Sequence, residues 1–145
     1  MTKLHKDLKA LGNSAVNKPL YEKTGVDKTV LERFPNPFKV ANSSGCKGTV
    51  SITAPEMTSL CPLTGQPDFC VMKIEYQPGD WCVESKALKL YITSFRNEGE
   101  FHESVVNRIC NDLVELLSPT WIRVTGEFTP RGGIAFWPTA YYAAP

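Results

Sequence analysis

The 145-residue sequence lacks long apolar runs and a charge of one dominant sign. No apolar run approaches the roughly 18 residues of a membrane-spanning helix, and residues 1–9 alternate lysines with single apolar residues, unlike a signal peptide. The formal net charge of +1 is too small for a protein that coats nucleic acid. We therefore expect a soluble cytoplasmic protein without membrane contact or direct nucleic-acid contact, whose partners include small molecules.

The sequence also lacks a disulfide framework and a histidine-rich metal motif. It has two histidines and an odd number of cysteines, five, which show neither paired nor close-set spacing. A chain of this length can bury a core without disulfides or a structural metal. A reducing compartment and one domain are the natural expectation, with no bound metal. The cysteines are Cys46, Cys61, Cys70, Cys82 and Cys110.

One stretch, from Ser59 to Phe69, combines a thiol and a carboxylate with two prolines and a glycine. Prolines fix φ and glycine permits turns, so we expect a rigid loop with Cys61 and Asp68 at its two ends. A thiolate is a strong nucleophile, and a nearby carboxyl group can supply or remove a proton. The residue types alone still favour a structural role for such a pair.

Alternating residues predict four strands. Thr49–Thr53 is rich in β-branched residues, and Cys70–Tyr76 places apolar side chains on one face, which predicts an antiparallel pair around the loop. Two further strands are predicted at Ile122–Phe128 and Ile134–Phe136, on either side of a turn at Pro130–Gly133.

The segment between these strand pairs has the apolar spacing of helices. Apolar residues recur at helical spacing from Glu84 to Phe95, and again from near His102 to the Ser118-Pro119 stop. The order β-β-α-α-β-β predicts an α+β fold with two helices on one face of an antiparallel four-stranded sheet. Upstream, Thr29 is predicted to cap a short helix that ends before Pro35. The lysines expected to form a solvated arm are those at positions 3, 6, 9, 18 and 23.

The loop and four later segments together resemble the 7-cyano-7-deazaguanine reductases, the nitrile reductases of queuosine biosynthesis, in their short single-module form. The resemblance covers about residues 34–142, and the order and spacing of the segments match the family. It implies the tunnelling fold (T-fold), in which domains join side by side into a barrel ring, here a homo-oligomeric decamer of two stacked pentameric rings. We expect residues 1–45 to be an N-terminal segment of the same domain and residues 46–145 to form the single catalytic domain. The later segments are Glu84-Ser85-Lys86-Ala87-Leu88-Lys89-Leu90-Tyr91, Ser94-Phe95-Arg96-Asn97, Phe101-His102-Glu103 and Phe128-Thr129-Pro130-Arg131-Gly132-Gly133.

The resemblance implies a four-electron reduction by NADPH that turns the nitrile of 7-cyano-7-deazaguanine into the amine of 7-aminomethyl-7-deazaguanine, for tRNA queuosine. Cys61 would form a covalent thioimide, and Asp68 would be the general acid. We expect apolar surroundings beside Phe69 to raise the pKa of Asp68. The same surroundings disfavour a free thiolate, so Cys61 needs a positive partner, a helix N-terminus or concerted proton transfer with Asp68, and the sequence leaves these open.

The resemblance also implies the binding residues. Glu103 would read the guanine-like edge, His102 would position and enclose the base, Glu84 and Ser85 would line the cleft, and Phe101 or Phe95 could stack on the base. Taken alone, a Glu at a helix start favours the macrodipole, and a lone His is more often a cap or surface residue. No Gly-x-Gly-x-x-Gly motif follows a strand, so the cofactor must be held in another way than by a Rossmann domain. The candidates for binding its phosphates are Lys86, Lys89 and Arg131.

Three alternatives differ in chemistry. A zinc hydrolase of the related cyclohydrolase type could use Cys61, Cys70 and His102 as ligands. An amidine-forming relative modifies the base inside transfer RNA but lacks the Glu-Ser-Lys segment. A non-catalytic ring protein would only bind purines. Asp68 and the cofactor segment favour the reductase over the hydrolase, and the intact Glu-Ser-Lys segment favours it over the amidine-forming relative. The presence of both Cys61 and Asp68 favours it over a protein that only binds purines.

Overall fold

The computed structural model describes residues 25–40 and 44–145. The expected lysine arm, His5 and the turns before residue 25 lie outside the described residues. No helix in the described ranges is long and apolar enough to cross a membrane. The elements are β1 Arg33–Pro35, α1 Pro37–Val40, β2 Val50–Leu60, β3 Pro67–Gln77, β4 Trp81–Val83, α2 Ser85–Thr93, α3 His102–Leu117, β5 Trp121–Phe128 and β6 Thr139–Ala143, with short 3-10 turns at Lys28–Val30 and Ser94–Asn97.

An antiparallel sheet in the order β2-β3-β5-β6 forms the centre of the fold. Alternate residues of β3 and β5 are buried, among them Met72, Ile74 and Tyr76 of β3, and α2 and α3 cover this apolar face. The predicted α+β fold and the order β-β-α-α-β-β are confirmed for this sheet. The separate pair β1-β4 is an addition that the sequence did not predict.

Both long helices follow the predicted apolar spacing. In α2 the buried residues continue into the 3-10 turn, where Phe95 is fully buried. In α3 the buried stripe includes Cys110, which confirms its prediction as a core residue, and Ser118 ends the helix in the left-handed conformation with φ 44°. Pro119 follows and cannot continue the helix.

The predicted helix capped by Thr29 is wrong. Lys28–Val30 forms a single 3-10 turn, and its cap is Asp27, whose side chain accepts a hydrogen bond from the Thr29 N–H at 3.1 Å. The chain then becomes extended in β1 and pairs with β4. An isolated helix of this length is unstable, so tertiary pairing decides the conformation.

The fourth predicted strand, Ile134–Phe136, is also wrong in position. Arg131 and Ile134 bond to each other's backbone around Gly132 and Gly133, which both have positive φ. The strand that completes the sheet is Thr139–Ala143. Ile134 is 62% exposed, so the apolar alternation of this segment does not serve the core of a single chain.

Candidate functional site

A six-residue loop joins β2 to β3 and carries the candidate nucleophile. The strands extend further than predicted, so the rigid loop spans residues 61–66 rather than the whole Ser59–Phe69 stretch. The Cys61 N–H donates to the Gln66 carbonyl at 2.8 Å, and the Gly65 N–H donates to the Cys61 carbonyl at 2.9 Å. Asp68 therefore lies within β3, while Cys61 is fixed at the start of a closed turn and is partly exposed.

The Cys61 thiol is activated by its own turn. A hydrogen bond from the Thr64 hydroxyl and those from the backbone N–H groups of Leu63 and Thr64 lower its pKa from 9.0 to about 6, and Arg131 adds a smaller effect. Backbone donors arranged in this way favour an anion. The turn donors, which the sequence did not suggest, supply most of the effect, and Arg131 contributes as a positive partner.

Asp68 is buried, with only 4% of its side chain exposed. Its Oδ1 atom forms a close ion pair with the half-exposed Arg131, and its Oδ2 atom lies 3.1 Å from Nε2 of His102. Arg131 also hydrogen-bonds the Cys61 thiol. The guanidinium expected on a cofactor phosphate thus connects the candidate nucleophile with the candidate acid. We call Cys61, Asp68, His102 and Arg131 the Cys61 group.

His102 is the first residue of α3, and its ring stacks on Phe128 of β5 with centroids 3.7 Å apart and planes 8° from parallel. Burial lowers the pKa of His102, against a smaller opposing effect of Glu103. A neutral ring bonded to a carboxylate carries its proton on Nε2, so His102 donates to Asp68. The sequence did not identify Phe128 as the support of this histidine, although its alternation placed the ring on the inner face.

Glu103 and Phe101 flank His102 and are both exposed, the Phe101 ring to 57%. They lie beside the Cys61 group and are free to meet a ligand. Phe95 differs, because it is fully buried and packs edge-on against Tyr91. The suggestion that Phe95 stacks on a base is therefore wrong, and its apolar spacing reflects the core.

An unpredicted backbone contact places α3 beside the loop. The Leu60 N–H donates to the Glu98 carbonyl at 2.8 Å, and the Glu100 N–H donates to the Leu60 carbonyl at 3.2 Å. Arg108 of α3 bonds the carboxylates of both Glu98 and Glu100. The residue before Cys61 is thus tied to the segment that leads into His102.

The Glu-Ser-Lys segment forms a second group, here called the Glu84 group: Glu84, Ser85, Lys86 and Lys89. The buried Glu84 carboxylate caps α2, accepting hydrogen bonds from the N–H groups of Lys86 at 3.0 Å and Ala87 at 2.7 Å. Ser85 donates its hydroxyl to the same carboxylate at 3.2 Å. Lys86 and Lys89 make no ion pair within the described ranges, so their ammonium groups can receive an anion.

The two groups lie at opposite ends of the sheet. The Val83 N–H, one residue before Glu84, donates to the Tyr76 hydroxyl at 3.1 Å near the end of β3, whereas Asp68 is near its start. Eight residues of strand at roughly 3.3 Å each separate Asp68 from Tyr76 by about 26 Å. A single chain therefore does not bring Glu84 beside Cys61.

The described residues also bear on the metal alternative. No three His, Cys, Asp or Glu side chains converge within residues 25–40 and 44–145 as a metal site would require. Burial raises the pKa of Cys70 to about 12. This thiol therefore stays protonated in the chain without a metal.

Comparison with known proteins gives one family. The family model described as QueF-like protein matches residues 67–145. The NADPH-dependent 7-cyano-7-deazaguanine reductase of Anaeromyxobacter sp. (strain K) is 53% identical over 104 residues, covering 72% of this chain and 81% of the relative. The protein of the same name from Caulobacter vibrioides (strain NA1000 / CB15N) is 50% identical over 116 residues, covering 78% of this chain and 74% of the relative. That from Allorhizobium ampelinum is 48% identical over 131 residues, covering 88% of this chain and 82% of the relative.

A solved structure is similar in fold. The crystal structure of the archaeosine synthase QueF-Like in the apo form matches with a TM-score of 0.62, covering 67% of this chain and 95% of that chain. Its sequence identity is 18%. This likeness supports the fold alone.

Proposed function

Because the chain belongs to the QueF-like family, we propose that it reduces the nitrile of 7-cyano-7-deazaguanine with NADPH, the reaction for which its relatives are named. The protein is an oxidoreductase with the T-fold, and its product is the primary amine 7-aminomethyl-7-deazaguanine for queuosine formation in the cytoplasm. The observation that carries the proposal is the Cys61 thiol of lowered pKa, joined through Arg131 to the buried Asp68.

The first step is covalent addition. The Cys61 thiolate forms a C–S bond to the nitrile carbon, one C–N π bond breaks, and its electron pair goes to nitrogen. Asp68 supplies the proton to that nitrogen, which leaves a thioimide on Cys61. The lowered pKa of Cys61 supports this step, because the thiolate is present at neutral pH.

The proton on Asp68 depends on its neighbours. Arg131 and the hydrogen bond from His102 favour the ionised carboxylate, whereas burial favours the carboxylic acid. Arg131 is half-exposed and follows a turn, so its side chain has room to leave Asp68. Once Arg131 has left, burial would favour the carboxylic acid, and Asp68 would take up a proton from water and become the acid that the addition requires.

The chain offers cationic groups for the cofactor without a glycine-rich motif. Lys86 and Lys89 lie three residues apart on the outer face of α2 and are available for phosphates, with Arg131 as a further candidate. NADPH, when bound, supplies the hydrides, two per nitrile. The base itself would meet the exposed Glu103 and Phe101 beside His102.

A complete site needs two chains. The start of α2 lies near Tyr76, about 26 Å along β3 from Asp68, so Glu84 and the Cys61 group can face one ligand only if a second copy supplies one of them. The end strands β2 and β6 leave sheet edges for a neighbour to pair. Exposed Phe136 and Trp137, a few residues after Arg131, would be covered by that neighbour. These features support the decamer of two pentameric rings, with Glu84 and Ser85 lining the cleft from the second chain.

The deciding experiment measures NADPH oxidation on addition of 7-cyano-7-deazaguanine, with Cys61→Ala as the inactive variant and Cys46→Ala as the matched control. We expect two NADPH consumed per nitrile by the native chain and the control, and none by Cys61→Ala. Without NADPH, the native chain should gain the whole mass of the nitrile. No oxidation and no adduct, together with amidine formation on transfer RNA, would instead support the amidine-forming alternative.

A further inference from the structure

Ser59 is a buried polar residue that the ligand-free fold does not use. Its side chain is 1% exposed, and its Oγ atom makes no hydrogen bond to any part of the chain that the structure describes. A buried hydroxyl without a partner is unfavourable, and most such groups in folded proteins find one. The position therefore requires an explanation other than stability.

A β-bulge turns Ser59 towards the candidate site. The β2-β3 register shifts between Ala54 and Met57, and the burial pattern shifts with it: Ile52 and Ala54 face inward before the bulge, Met57 and Ser59 after it. Pro55, which has no N–H to give the ladder, lies within this irregularity. As a result Ser59 shares the buried face with Asp68, which is its direct partner across the strands.

Asp68 retains the capacity to accept this hydroxyl. Side chains of directly opposite strand residues have Cβ atoms about 5 Å apart, and a serine hydroxyl changes direction by rotation about χ1. Arg131 faces Oδ1 of Asp68 and His102 faces Oδ2, but an ionised carboxylate can accept about four hydrogen bonds. Arg131, which bonds this carboxylate, also lowers the pKa of Cys61, the other titrating group beside it.

We propose that Ser59 is a positioning residue for Asp68, an inference that rests on the reductase function proposed above. When Asp68 has given its proton to the nitrile nitrogen, the Ser59 hydroxyl rotates and donates a hydrogen bond to the new carboxylate. This bond stabilises the ionised product of proton transfer and keeps the carboxyl group oriented between His102 and Arg131. The hydroxyl serves turnover rather than folding, because it bonds none of the residues that the structure describes.

The test compares Ser59→Ala with the native chain and with Ser51→Ala, the same change at an exposed position of the same strand. We expect Ser59→Ala to unfold at the native temperature or higher, since it removes an unsatisfied hydroxyl. Its KM for 7-cyano-7-deazaguanine should stay within about twofold while kcat falls about tenfold, the cost of one hydrogen bond to a charged group. Formation of the thioimide adduct without NADPH should slow by a similar factor. Ser51→Ala should match the native chain in every measurement.

The pH dependence gives a readout that packing alone would not move. Without the hydroxyl, Asp68 holds its proton more firmly, so the basic limb of the kcat profile should move upward by about half a pH unit or more. Native kcat and an unchanged profile in Ser59→Ala would overturn the inference while leaving the reductase function intact. A lowered unfolding temperature with an unshifted profile would likewise overturn it. A native chain that forms no adduct and oxidises no NADPH overturns the proposed function, and the inference with it.

Discussion

The Nε2 atom of His102 lies 3.1 Å from the Oδ2 atom of Asp68, so the start of helix α3 is tied to strand β3. On its other side the imidazole ring stacks on Phe128 of β5. The contact brings a helix start and two strands to one point, where the ring cannot turn away without losing both partners. A neutral histidine held in this way orients the Asp68 carboxyl group by a hydrogen bond and adds no positive charge beside it.

Asp68→Asn should abolish turnover while keeping the shape of the side chain. We expect kcat to fall about 100-fold or more, because the amide cannot supply the proton that the nitrile nitrogen requires. Adduct formation without NADPH should fall with it, and intact-mass measurement checks this. Asp80→Asn, the same change in an exposed turn, is the control and should be fully active. An Asp68→Asn chain that forms the adduct at the native rate would show that another group protonates the nitrogen.

Thr64→Val should raise the pKa of the Cys61 thiol. The Thr64 hydroxyl is the largest of the influences that lower this pKa to about 6. Alkylation of Cys61 by iodoacetamide, followed by peptide mass, should be half-maximal near pH 6 in the native chain. Loss of the hydroxyl disfavours the thiolate, so in Thr64→Val the midpoint should move towards 9.0.

Two variants control this experiment. Thr64→Ser keeps the hydroxyl and should keep the native midpoint, and Thr53→Val makes the same change at an exposed strand position. The buried Cys70 has a pKa raised to about 12 and should remain unreactive throughout. An unchanged midpoint in Thr64→Val would assign the activation to the backbone donors and Arg131 instead.

Periodicity predicted the helices and strands that bury one face. It failed where the position of a strand depends on pairing with another segment. Because α2, α3, β3 and β5 each bury one face, their apolar residues recur with the period of a helix or a strand. This period can be seen in the sequence itself. The small β1-β4 pair depends on a partner far along the chain, and the position of the strand Thr139–Ala143 depends on where the chain pairs back onto β5 after the turn. The bulge in β2 changes which alternate residues face the core, and the apolar alternation of the strand does not predict it.

The sequence named candidate residues, but their arrangement could only partly be foreseen. The structure places Asp68 against His102, while the catalytic roles of Cys61, Asp68 and His102 stay predictions. It adds Arg131 to this group, because the turn that follows β5 ends beside β3. The distance to Glu84 could not be foreseen, since it depends on how far β3 extends before the chain turns.

Gly126→Ala should disturb both the core and the support of His102. A Cβ at Gly126 would lie 2.7 Å from the Phe128 ring and 2.9 Å from a Val106 methyl group, closer than packed atoms tolerate. We expect the free energy of unfolding to fall by roughly 1–3 kcal/mol, measured by urea denaturation. Because Phe128 must move, kcat should fall more than in Thr125→Ala, an adjacent change on the opposite face of the sheet. Native stability would mean that β5 and α3 separate easily.

Replacing Lys86 and Lys89 together with alanine should weaken cofactor binding selectively. Both ammonium groups lack an ion pair within the described ranges, so their loss breaks no contact that stabilises the chain. We expect KM for NADPH to rise at least about tenfold, the cost of one charged hydrogen bond, with KM for the nitrile unchanged. Lys47→Ala, also exposed, is the control. Equal effects on both KM values would contradict a specific role in binding the cofactor.

Mixing an inactive chain with a chain of weakened cofactor binding should raise activity above that of either chain alone if the Cys61 group and the Glu84 group meet across a subunit interface. Cys61→Ala and the Lys86→Ala/Lys89→Ala chain are unfolded together, refolded together and assayed at subsaturating NADPH. Because each interface site takes one group from each neighbour, random 1:1 assembly leaves about a quarter of the sites intact. The matched control mixes Cys61→Ala with Asp68→Asn, whose changes fall in the same group, and should recover nothing. Recovery in the control but not in the first mixture would mean that Cys61 and Asp68 of one site come from different subunits. That result would contradict the interactions of Arg131 with both residues.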